Sequence, residues 1–268
     1  MPTLILSPRH SEDSDALEGA TIRAGWRVFR PDGWRIPTDF ADAEGLALYG
    51  EALFVRVIAD QVGVTLLEAS HDWLAQLPKS YTKRSVIATT LGAAHQLELP
   101  AFIKPAGDKA FESKVFVSAP ELAAITHDLS GQIDILVSEP VNWEAEFRSF
   151  VLDDSVVTVS PYMLNGELAK TDDGVWQHDP SLEEEAQSFA AQMLAASEVP
   201  FPPAFVLDLG IISSQGWAVL EANPAWGSGI YGCDPDHAFQ VIRRACLLPN
   251  QITDADRSWI SEWESWDV

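Results

Sequence analysis

The sequence predicts an α+β protein, with an α/β lobe at the N-terminal end and a larger part built from antiparallel strands and helices. In the first hundred residues, short apolar runs alternate with helix-compatible segments, which is typical of a sheet covered by helices. From Ala101 onward the pattern changes to short β-type runs joined by turn residues. An apolar share of 47% is large enough for a packed core despite the net charge of −23.

The N-terminal elements follow in order from the apolar runs and the residues that end them. Helices are expected over Asp15–Ala24 and Leu53–Gln61, because Gly25 and Gly63 follow them and glycine commonly ends a helix. Strands are expected at Thr3–Ser7, Trp26–Phe29, Leu46–Tyr49 and Val64–Glu68. We expect this lobe to occupy residues 1–95.

The second part, expected at residues 96–250, is mainly antiparallel. Asp153-Asp154 and Ser213–Gly216 have turn chemistry that joins consecutive strands. The predicted strands are Ala101–Lys104, Lys114–Ser118, Ile133–Ser138, Glu146–Leu152, Val156–Ser160, Ala204–Ile212 and Trp217–Glu221. Helices are expected at Pro120–Leu129, Leu182–Ala196 and Asp236–Cys246. Residues 251–268 are expected to form a tryptophan-containing, acidic C-terminal tail.

Composition excludes several classes of partner. The chain has 17 Lys and Arg against 40 Asp and Glu, so phosphate backbones and anionic lipid surfaces should be repelled, and we expect neither nucleic acid nor membrane as a partner. No export signal or membrane-spanning stretch is recognised. The two cysteines are too few for a disulfide framework. A cytoplasmic location is expected.

One stretch departs from this acidic character. Residues 79–114 hold six Lys or Arg against three Asp or Glu. Lysines placed beside a loop that contains Gly107 favour the binding of a small polyanion. The alternative is a solvated basic edge that only balances neighbouring acids.

Two acids are predicted to face each other across a hairpin formed by residues 204–224. A turn centred between Ser214 and Gln215 pairs Asp208 with Glu221 and sets their Cβ atoms about 5 Å apart, which like charges should destabilise. Asn223 shares that face, because side chains alternate along a strand. Something positive must therefore lie between the acids.

Asp208, Glu221 and Asn223 form a candidate site for Mg²⁺ or Mn²⁺, because carboxylate and amide oxygens are ligands that these hard cations prefer. So few protein ligands leave room for phosphate oxygens and water. The alternative is that one acid faces solvent, or that a β-bulge separates the pair.

The order of these features resembles the nucleotide-binding core of the ATP-grasp superfamily. The resemblance rests on FIKP at 102–105, the loop from Gly107 to Lys114, ILVSEP ending near Glu139, EFR at 146–148, Asp208 and LEANP at 220–224. It covers Ala101 to Gly229. More narrowly, the sequence resembles a clade in which lysine replaces a phosphate-contacting arginine. The N-terminal lobe resembles the domain that precedes the ATP-grasp domain in such proteins.

The resemblance implies a set of ATP-binding residues. Lys104 would contact the α- and β-phosphates, and the loop ending at Lys114 would cover the triphosphate. Glu139 would lie near the adenine amino group, with Val141 beside it offering backbone contacts. Glu146 would accept hydrogen bonds from the ribose hydroxyls. The basic residue ahead of the central lobe would be Arg84 or Lys83.

Two further residues are candidates for catalysis. The resemblance gives Arg148 a role at the transferred phosphate or the second substrate, although an ion pair with Glu146 or Glu144 is an equal alternative. Lys170 is the candidate for the lysine that replaces arginine, and it would give a point charge instead of a planar fork.

The activity that the resemblance implies is ATP- and Mg²⁺-dependent joining of a carboxylate to an amine through an acylphosphate. The acceptor would be a small molecule, a peptide or a protein. The alternatives are a phosphotransferase or nucleotidyl-transferring enzyme that uses the same site, and a protein that binds ATP without turning it over.

Overall fold

The computed structural model describes residues 1–36, 40, 43–94, 96–107 and 109–261. His95 at the expected lobe boundary, Asp108 in the expected phosphate loop and residues 262–268 of the expected tail lie outside the described residues. Within the described ranges no helix is long and apolar enough to cross a membrane.

The N-terminal lobe contains a three-stranded parallel sheet with the strand order β2-β1-β3. Its helices connect the strands, and α2 ends at Gly63, whose φ of 69° is left-handed. The elements are β1 (Thr3–Leu6), α1 (Glu12–Arg23), β2 (Arg27–Phe29), β3 (Leu46–Tyr49), α2 (Ala52–Val62) and β4 (Thr65–Leu66). This confirms the predicted α/β layer.

Two short helices lead from this lobe to a four-stranded antiparallel sheet of order β5-β8-β6-β7. The elements are α3 (Trp73–Gln76), α4 (Lys79–Thr82), β5 (Val86–Thr90), α5 (Leu91–Ala94), β6 (Ala101–Pro105), β7 (Lys114–Phe116), α6 (Ala119–Thr126) and β8 (Asp134–Ser138). Sequence reasoning missed β5, which pairs with β8 although it precedes the lobe boundary expected at residue 95. That boundary stays a prediction.

A five-stranded antiparallel sheet of order β11-β10-β9-β12-β13 completes the fold. The strands β9 and β10 are longer than predicted and are joined at Asp153 and Asp154, both with positive φ. The elements are β9 (Trp143–Leu152), β10 (Ser155–Leu164), β11 (Glu167–Leu168), α7 (Pro180–Ala196), β12 (Ala204–Ile212), β13 (Gly216–Asn223), α8 (Pro235–Arg244) and β14 (Cys246–Leu247). The predicted α+β class is therefore confirmed.

Both faces of the five-stranded sheet are buried. One face packs against α7, and its Phe147 and Phe205 belong to the same buried hydrophobic cluster as Met193 of that helix. The other face, which carries Phe150, packs against α8 and shares a core with the N-terminal sheet, including Leu48. Side chains alternate between the faces of a strand, so even-numbered positions of β9 and β12 lie on the same sheet face as Phe150.

Candidate functional site

Asp208 on β12 lies opposite Glu221 on β13, as the sequence predicted, but the turn differs from the expected one. The outer part of the hairpin pairs Ile212 with Gly216, so the turn centres on Ser214. Leu220 is then an extra residue in β13, because Leu209 pairs with Val219 and Asp208 pairs with Glu221. The predicted turn centre was half a residue off, and the β-bulge is what sets the two acids face to face.

Arg148 on β9 forms a bidentate ion pair with Asp208. Its Nε donates to Oδ1 at 2.9 Å and its Nη2 donates to Oδ2 at 2.7 Å, while Asp208 is fully buried. Burial disfavours a charged guanidinium, but the charge of Asp208 outweighs it and raises the pKa of Arg148. Nη1 donates to the carbonyl of Gly229 at 2.8 Å. The suggested ion pair with Glu146 or Glu144 is wrong, since the partner is Asp208.

Lys104 supplies the second positive charge that the acid pair requires. Its Nζ donates to Oε2 of Glu221. Burial alone would raise the pKa of Glu221, but the charge and hydrogen bond of Lys104 outweigh it and hold that pKa below its usual range. The amide of Asn223 bridges the acids, because its Nδ2 donates to Oδ2 of Asp208 at 3.0 Å and to Oε1 of Glu221 at 2.8 Å.

The donor set fits a divalent cation that also binds phosphate. No group of three His, Cys, Asp or Glu that could hold a metal ion occurs among the described residues, so the protein offers no complete cage there. Glu221, Asn223 and Asp208 supply carboxylate and amide oxygens, and Mg²⁺ commonly takes few protein oxygens and completes its shell with phosphate and water. Turning the Asn223 amide over would present its oxygen to the cation.

Arg84 holds the β-bulge in place. Its Nη1 donates to the carbonyl of Val219 at 2.8 Å and its Nη2 to that of Leu220 at 3.0 Å, and its guanidinium lies 5.0 Å from the ring centre of Trp143. Burial lowers the pKa of Arg84 to about 10, against the opposing charge of Glu221. The residue expected to bind the cofactor thus uses two of its donors on the residues directly before Glu221.

Lys104, Glu221, Asn223, Asp208 and Arg148 form one hydrogen-bonded cluster. A cavity of about 520 Å³ opens beside this cluster, between the four-stranded and five-stranded sheets. Such a volume lies in the usual range for small-molecule sites. The cavity brings together five of the predicted ATP-binding residues and one predicted metal ligand, namely Arg84, Lys104, Glu139, Val141 and Glu146, together with Glu221. Glu146 is half-buried, so burial raises its pKa, against the hydrogen bond of 2.7 Å from the Tyr162 hydroxyl.

Two predicted residues make side-chain contacts that the sequence did not predict, and only one of them lines the cavity. The Glu139 carboxylate accepts from the backbone N–H of Ser85 at 2.8 Å and pairs with Lys79, and both contacts lower its pKa. Lys114 does not line the cavity and instead pairs with Glu121 at 2.8 Å. Because side chains alternate along a strand, Ser113 and Val115 face the cavity.

Lys170 lies outside the cavity. Its Nζ pairs with Glu12 of α1 at 2.6 Å and sits 4.4 Å from the ring centre of Trp176. Trp176 contacts Tyr231, and the guanidinium of Arg148 lies 4.5 Å from the Tyr231 ring centre. Lys170 therefore approaches the cluster from the side of the N-terminal lobe, through aromatic rings.

Sequence reasoning gave no individual role to several residues around the cluster. Lys109, Phe102 and Trp143 line the cavity, and Tyr162 stacks on Tyr231 with ring centres 4.9 Å apart. Lys109 lies in the basic stretch, which was a usable signal. The aromatic residues gave none, because an aromatic residue in a strand is ordinary core composition.

The comparisons with known proteins agree with this geometry. Residues 81–241 match a family of ATP-grasp domains, described as family 2 of the arginine-to-lysine clade. No curated protein sequence matches the chain significantly.

Solved structures share the fold at low sequence identity. A RimK domain protein ATP-grasp from Sphaerobacter thermophilus DSM 20745 is 15% identical with a TM-score of 0.50, over 90% of this chain and 99% of that chain. D-alanine–D-alanine ligase from Bacillus anthracis, complexed with ATP, is 12% identical with a TM-score of 0.52, over 91% and 96% of the two chains. N5-carboxyaminoimidazole synthase from Aspergillus clavatus, in complex with ADP and 5-aminoimadazole ribonucleotide, is 11% identical with a TM-score of 0.53, over 95% and 78%.

The family match spans more than half of the 268 residues. It includes β6 with Lys104, the acid pair on β12 and β13, and most of the cavity lining. The chain belongs to family 2 of the arginine-to-lysine clade of ATP-grasp domain proteins.

Proposed function

We propose that this protein is an ATP- and Mg²⁺-dependent carboxylate–amine ligase that works through an acylphosphate. One observation carries the proposal: a continuous chain of hydrogen bonds with a cation at each end lies beside a nucleotide-sized cavity. Its members, in order, are Lys104, Glu221, Asn223, Asp208 and Arg148. Clustered charges of this kind suit phosphoryl transfer, which depends on alignment and charge neutralisation.

The cavity supports a specific arrangement of ATP. We propose that the backbone from Glu139 to Val141 borders the adenine and that Glu146 receives the ribose hydroxyls. Lys104 would contact the phosphates. Arg84 would act on the phosphates only indirectly, because its donors already bind backbone carbonyls. For Lys114 a contact with ATP requires release from Glu121, and Lys109 is the nearer substitute.

We propose that Asp208, Glu221 and Asn223 hold Mg²⁺, or Mn²⁺, in the loaded enzyme. The bound cation would neutralise charge on the phosphate oxygens. Lys104 would then leave Glu221 and bind phosphate, since the cation replaces it as the partner of that carboxylate. Burial raises the pKa of Asp208, and the charge and hydrogen bonds of Arg148 oppose that shift.

The reaction proposed here has two steps. An oxygen of the substrate carboxylate attacks the γ-phosphorus of ATP, and the bond to ADP breaks. An amine then attacks the acyl carbon, phosphate leaves with the electron pair of the C–O bond, and the proton lost by the nitrogen passes to the released phosphate. Lys104 would neutralise charge directly in the first step, which needs no general base. Arg148 would act indirectly, because its donors already bind Asp208 and the carbonyl of Gly229. Lys170 would lie on the side of the site where the acceptor binds.

The experiment is incubation with Mg-ATP and pools of amino acids and short peptides, followed by mass spectrometry and nucleotide analysis. ADP together with a new amide supports the ligase. ADP or AMP with a phosphorylated or nucleotidylated product would instead identify a transferase. Tight ATP binding without turnover would identify a non-catalytic ATP-binding protein.

The acidic surface bears on the acceptor, which we propose to be a small molecule, a peptide or a protein. A net charge of −23 would attract basic acceptors, so added salt should slow turnover on them more than on neutral ones. We further propose a cytoplasmic location, supported by two free, buried cysteines.

A further inference from the structure

A second cavity, with a volume of about 500 Å³, lies at the end of the four-stranded sheet that is remote from Glu139. Its walls come from residues 68–72, from the ends of β5, β6 and β8, and from Ser258 and Ile260. None of the residues that the sequence assigned to ATP, to the metal or to catalysis lines it. The volume is in the usual range for small-molecule sites, and the arrangement proposed for ATP leaves this space free.

Both cavities open on the same face of the four-stranded sheet. Lys104 of β6 pairs with Leu136 of β8, and both residues line the cavity proposed for ATP. Next along these strands, the backbone N–H of Ala106 donates to the carbonyl of Asp134 at 2.9 Å, and both of these residues line the second cavity. Because side chains alternate between faces and a strand advances about 3.3 Å per residue, the second cavity begins about 7 Å beyond Lys104.

The arrangement proposed for ATP points toward the second cavity. Glu139 and Val141 follow β8 at the adenine end, whereas Lys104, at the phosphate end, is the residue nearer to Ala106. An acylphosphate formed at the γ-phosphorus would therefore lie between the two cavities. An acceptor held in the second cavity would then approach the acyl carbon from the side opposite the adenine.

His71 connects the second cavity to the segment that follows β6. Its imidazole packs directly on Gly107, because a Cβ at that position would lie 2.7 Å from Cε1 and 3.0 Å from Nε2 of the ring, which leaves no room for a side chain. Lys109, two positions after Gly107, lines the cavity proposed for ATP. One wall of the second cavity is therefore in contact with the segment beside the proposed phosphate site.

The charged side chains of the second cavity are acidic. Glu68, Asp72 and Asp134 line it, and no Lys or Arg is among the described residues of its lining. The Glu68 carboxylate already pairs with Arg56 at 3.3 Å and accepts from the Ser261 hydroxyl. Asp72 and Asp134 make no ion pair within the described part of the chain, and Asp72, although it is the N-cap residue of α3, accepts no capping hydrogen bond. Two carboxylates are thus available to a bound cation.

We propose that the second cavity binds a small acceptor with two basic groups, such as a diamine. The inference rests on the proposed ligase function and names the class of amine that is joined. One amino group, uncharged when it attacks the acyl carbon, would lie beside the acylphosphate. The other, as an ammonium, would bind Asp72 and Asp134, since an ammonium offers three donors and a positive charge. An anionic acceptor would be repelled by the same carboxylates.

A ligand-observed NMR titration decides this cavity without turnover. The parent protein should bind 1,4-diaminobutane but not 1,4-butanediol, which has the same carbon chain and no charge. The double variant Asp72→Asn with Asp134→Asn should weaken the binding of the diamine about tenfold, because each exposed ion pair alone has a modest effect. The matched control is Asp60→Asn with Asp128→Asn, two exposed acids outside the lining, which changes the net charge equally.

The outcomes of this titration either support or overturn the proposal. Equal affinity of the parent and the Asp72→Asn, Asp134→Asn variant overturns it, and so does equal affinity for the diamine and the diol. Failure of the parent to bind the diamine overturns it as well. If a dilysine peptide binds where the diamine does not, the cavity takes a peptide and the small-molecule acceptor is wrong.

Turnover with Mg-ATP and a pool of carboxylic acids then tests the acceptor role. The double variant should raise the KM for 1,4-diaminobutane about tenfold. Hydroxylamine, which is uncharged at neutral pH and traps acylphosphates as hydroxamates, should react with the double variant as it does with the parent. Equal losses of amide and hydroxamate would contradict the proposal, because the acids would then act in the first step. If the parent forms neither product, the ligase function is rejected instead, and the titration still decides whether the cavity is a diamine site.

Discussion

Arg148 and Asp208 form a bidentate ion pair between the neighbouring strands β9 and β12, and Asp208 has no exposed surface. The pair lies on the sheet face that packs toward the N-terminal lobe. It also reaches the segment that follows β13, because Nη1 of the same guanidinium donates to the carbonyl of Gly229. Each partner is therefore needed to keep the other charge compatible with burial.

Removing one partner of this pair should destabilise the fold strongly. Asp208→Leu leaves a buried guanidinium without its carboxylate, and we expect the free energy of unfolding to fall by about 3–5 kcal/mol. The double variant Asp208→Leu with Arg148→Met should recover a large part of this loss, because no charge is then left unpaired. Urea unfolding of the two single variants and the double variant measures the coupling. Additive losses would show that the pair is not coupled as described.

Arg84 should control metal binding through the β-bulge. Lysine cannot reproduce the planar fork that holds the carbonyls of Val219 and Leu220, so Arg84→Lys should let the bulge shift and move Glu221 away from Asp208. We expect the Mg²⁺ concentration for half-maximal ATP binding to rise about tenfold, with about 1–2 kcal/mol lost from stability.

The matched control for that variant is Arg257→Lys, at an exposed residue that pairs with Asp254. It should leave the Mg²⁺ dependence unchanged. If Arg84→Lys weakens ATP binding equally with and without Mg²⁺, Arg84 contacts the phosphates and does not position the metal ligand.

Ionisation of the half-buried Glu146 should lower the free energy of unfolding as pH rises. Its pKa is raised above 4.5 by burial, so the folded protein holds this proton more tightly than the unfolded chain does. The unfolding free energy therefore falls as pH rises through the unfolded and then the folded pKa, and it stays lower above both. Glu146→Gln removes this loss. The variant should match the parent below about pH 4 and exceed it at neutral pH.

The same variant should bind ATP more weakly, because an ionised acceptor for the ribose hydroxyls is lost. Denaturant unfolding at several pH values and calorimetric titration with ATP measure the two effects. A variant that is less stable than the parent at neutral pH would contradict the assigned burial cost, and unchanged ATP affinity would remove the ribose assignment.

The effect of Lys170 on the reaction can be measured separately from the effect of its ion pair with Glu12. Breaking the exposed contact with Glu12 should change stability by less than about 1 kcal/mol. If Lys170 acts in the reaction, Lys170→Met should lower kcat while Lys170→Arg keeps most of it, since a positive charge is retained. Glu12→Gln breaks the same ion pair but leaves the lysine, so it should not lower kcat. Equal losses in Lys170→Met and Glu12→Gln would reduce Lys170 to a structural role.

Much of the fold could be predicted because local signals agreed with the final packing. The helix before Gly63 and the strand Ala204–Ile212 were predicted from end signals and apolar runs. The strand β5 was missed because all of its residues are exposed or only partly buried, so it lacks a buried apolar run. Its place is decided by pairing with β8, which sequence cannot reveal locally.

The site was predictable in part for the same reason. Asp208 and Glu221 lie on the two strands of one hairpin, so their pairing could be predicted from their distances along the chain to the turn. The partner of Asp208 could not be, because Arg148 lies sixty positions away on another strand. Lys114 was assigned by its place in a loop, but strand alternation turns it toward Glu121.

The central claim is that Glu221, opposite Asp208, helps bind a divalent cation together with ATP. Calorimetric titration of ATP into the protein, with and without Mg²⁺, tests it most directly when the parent is compared with Glu221→Gln and with Glu44→Gln as an exposed control. We predict that Mg²⁺ tightens ATP binding in the parent and in Glu44→Gln, and that Glu221→Gln loses this effect. Mg²⁺-dependent binding of equal strength in Glu221→Gln, or no ATP binding by the parent, would contradict the account.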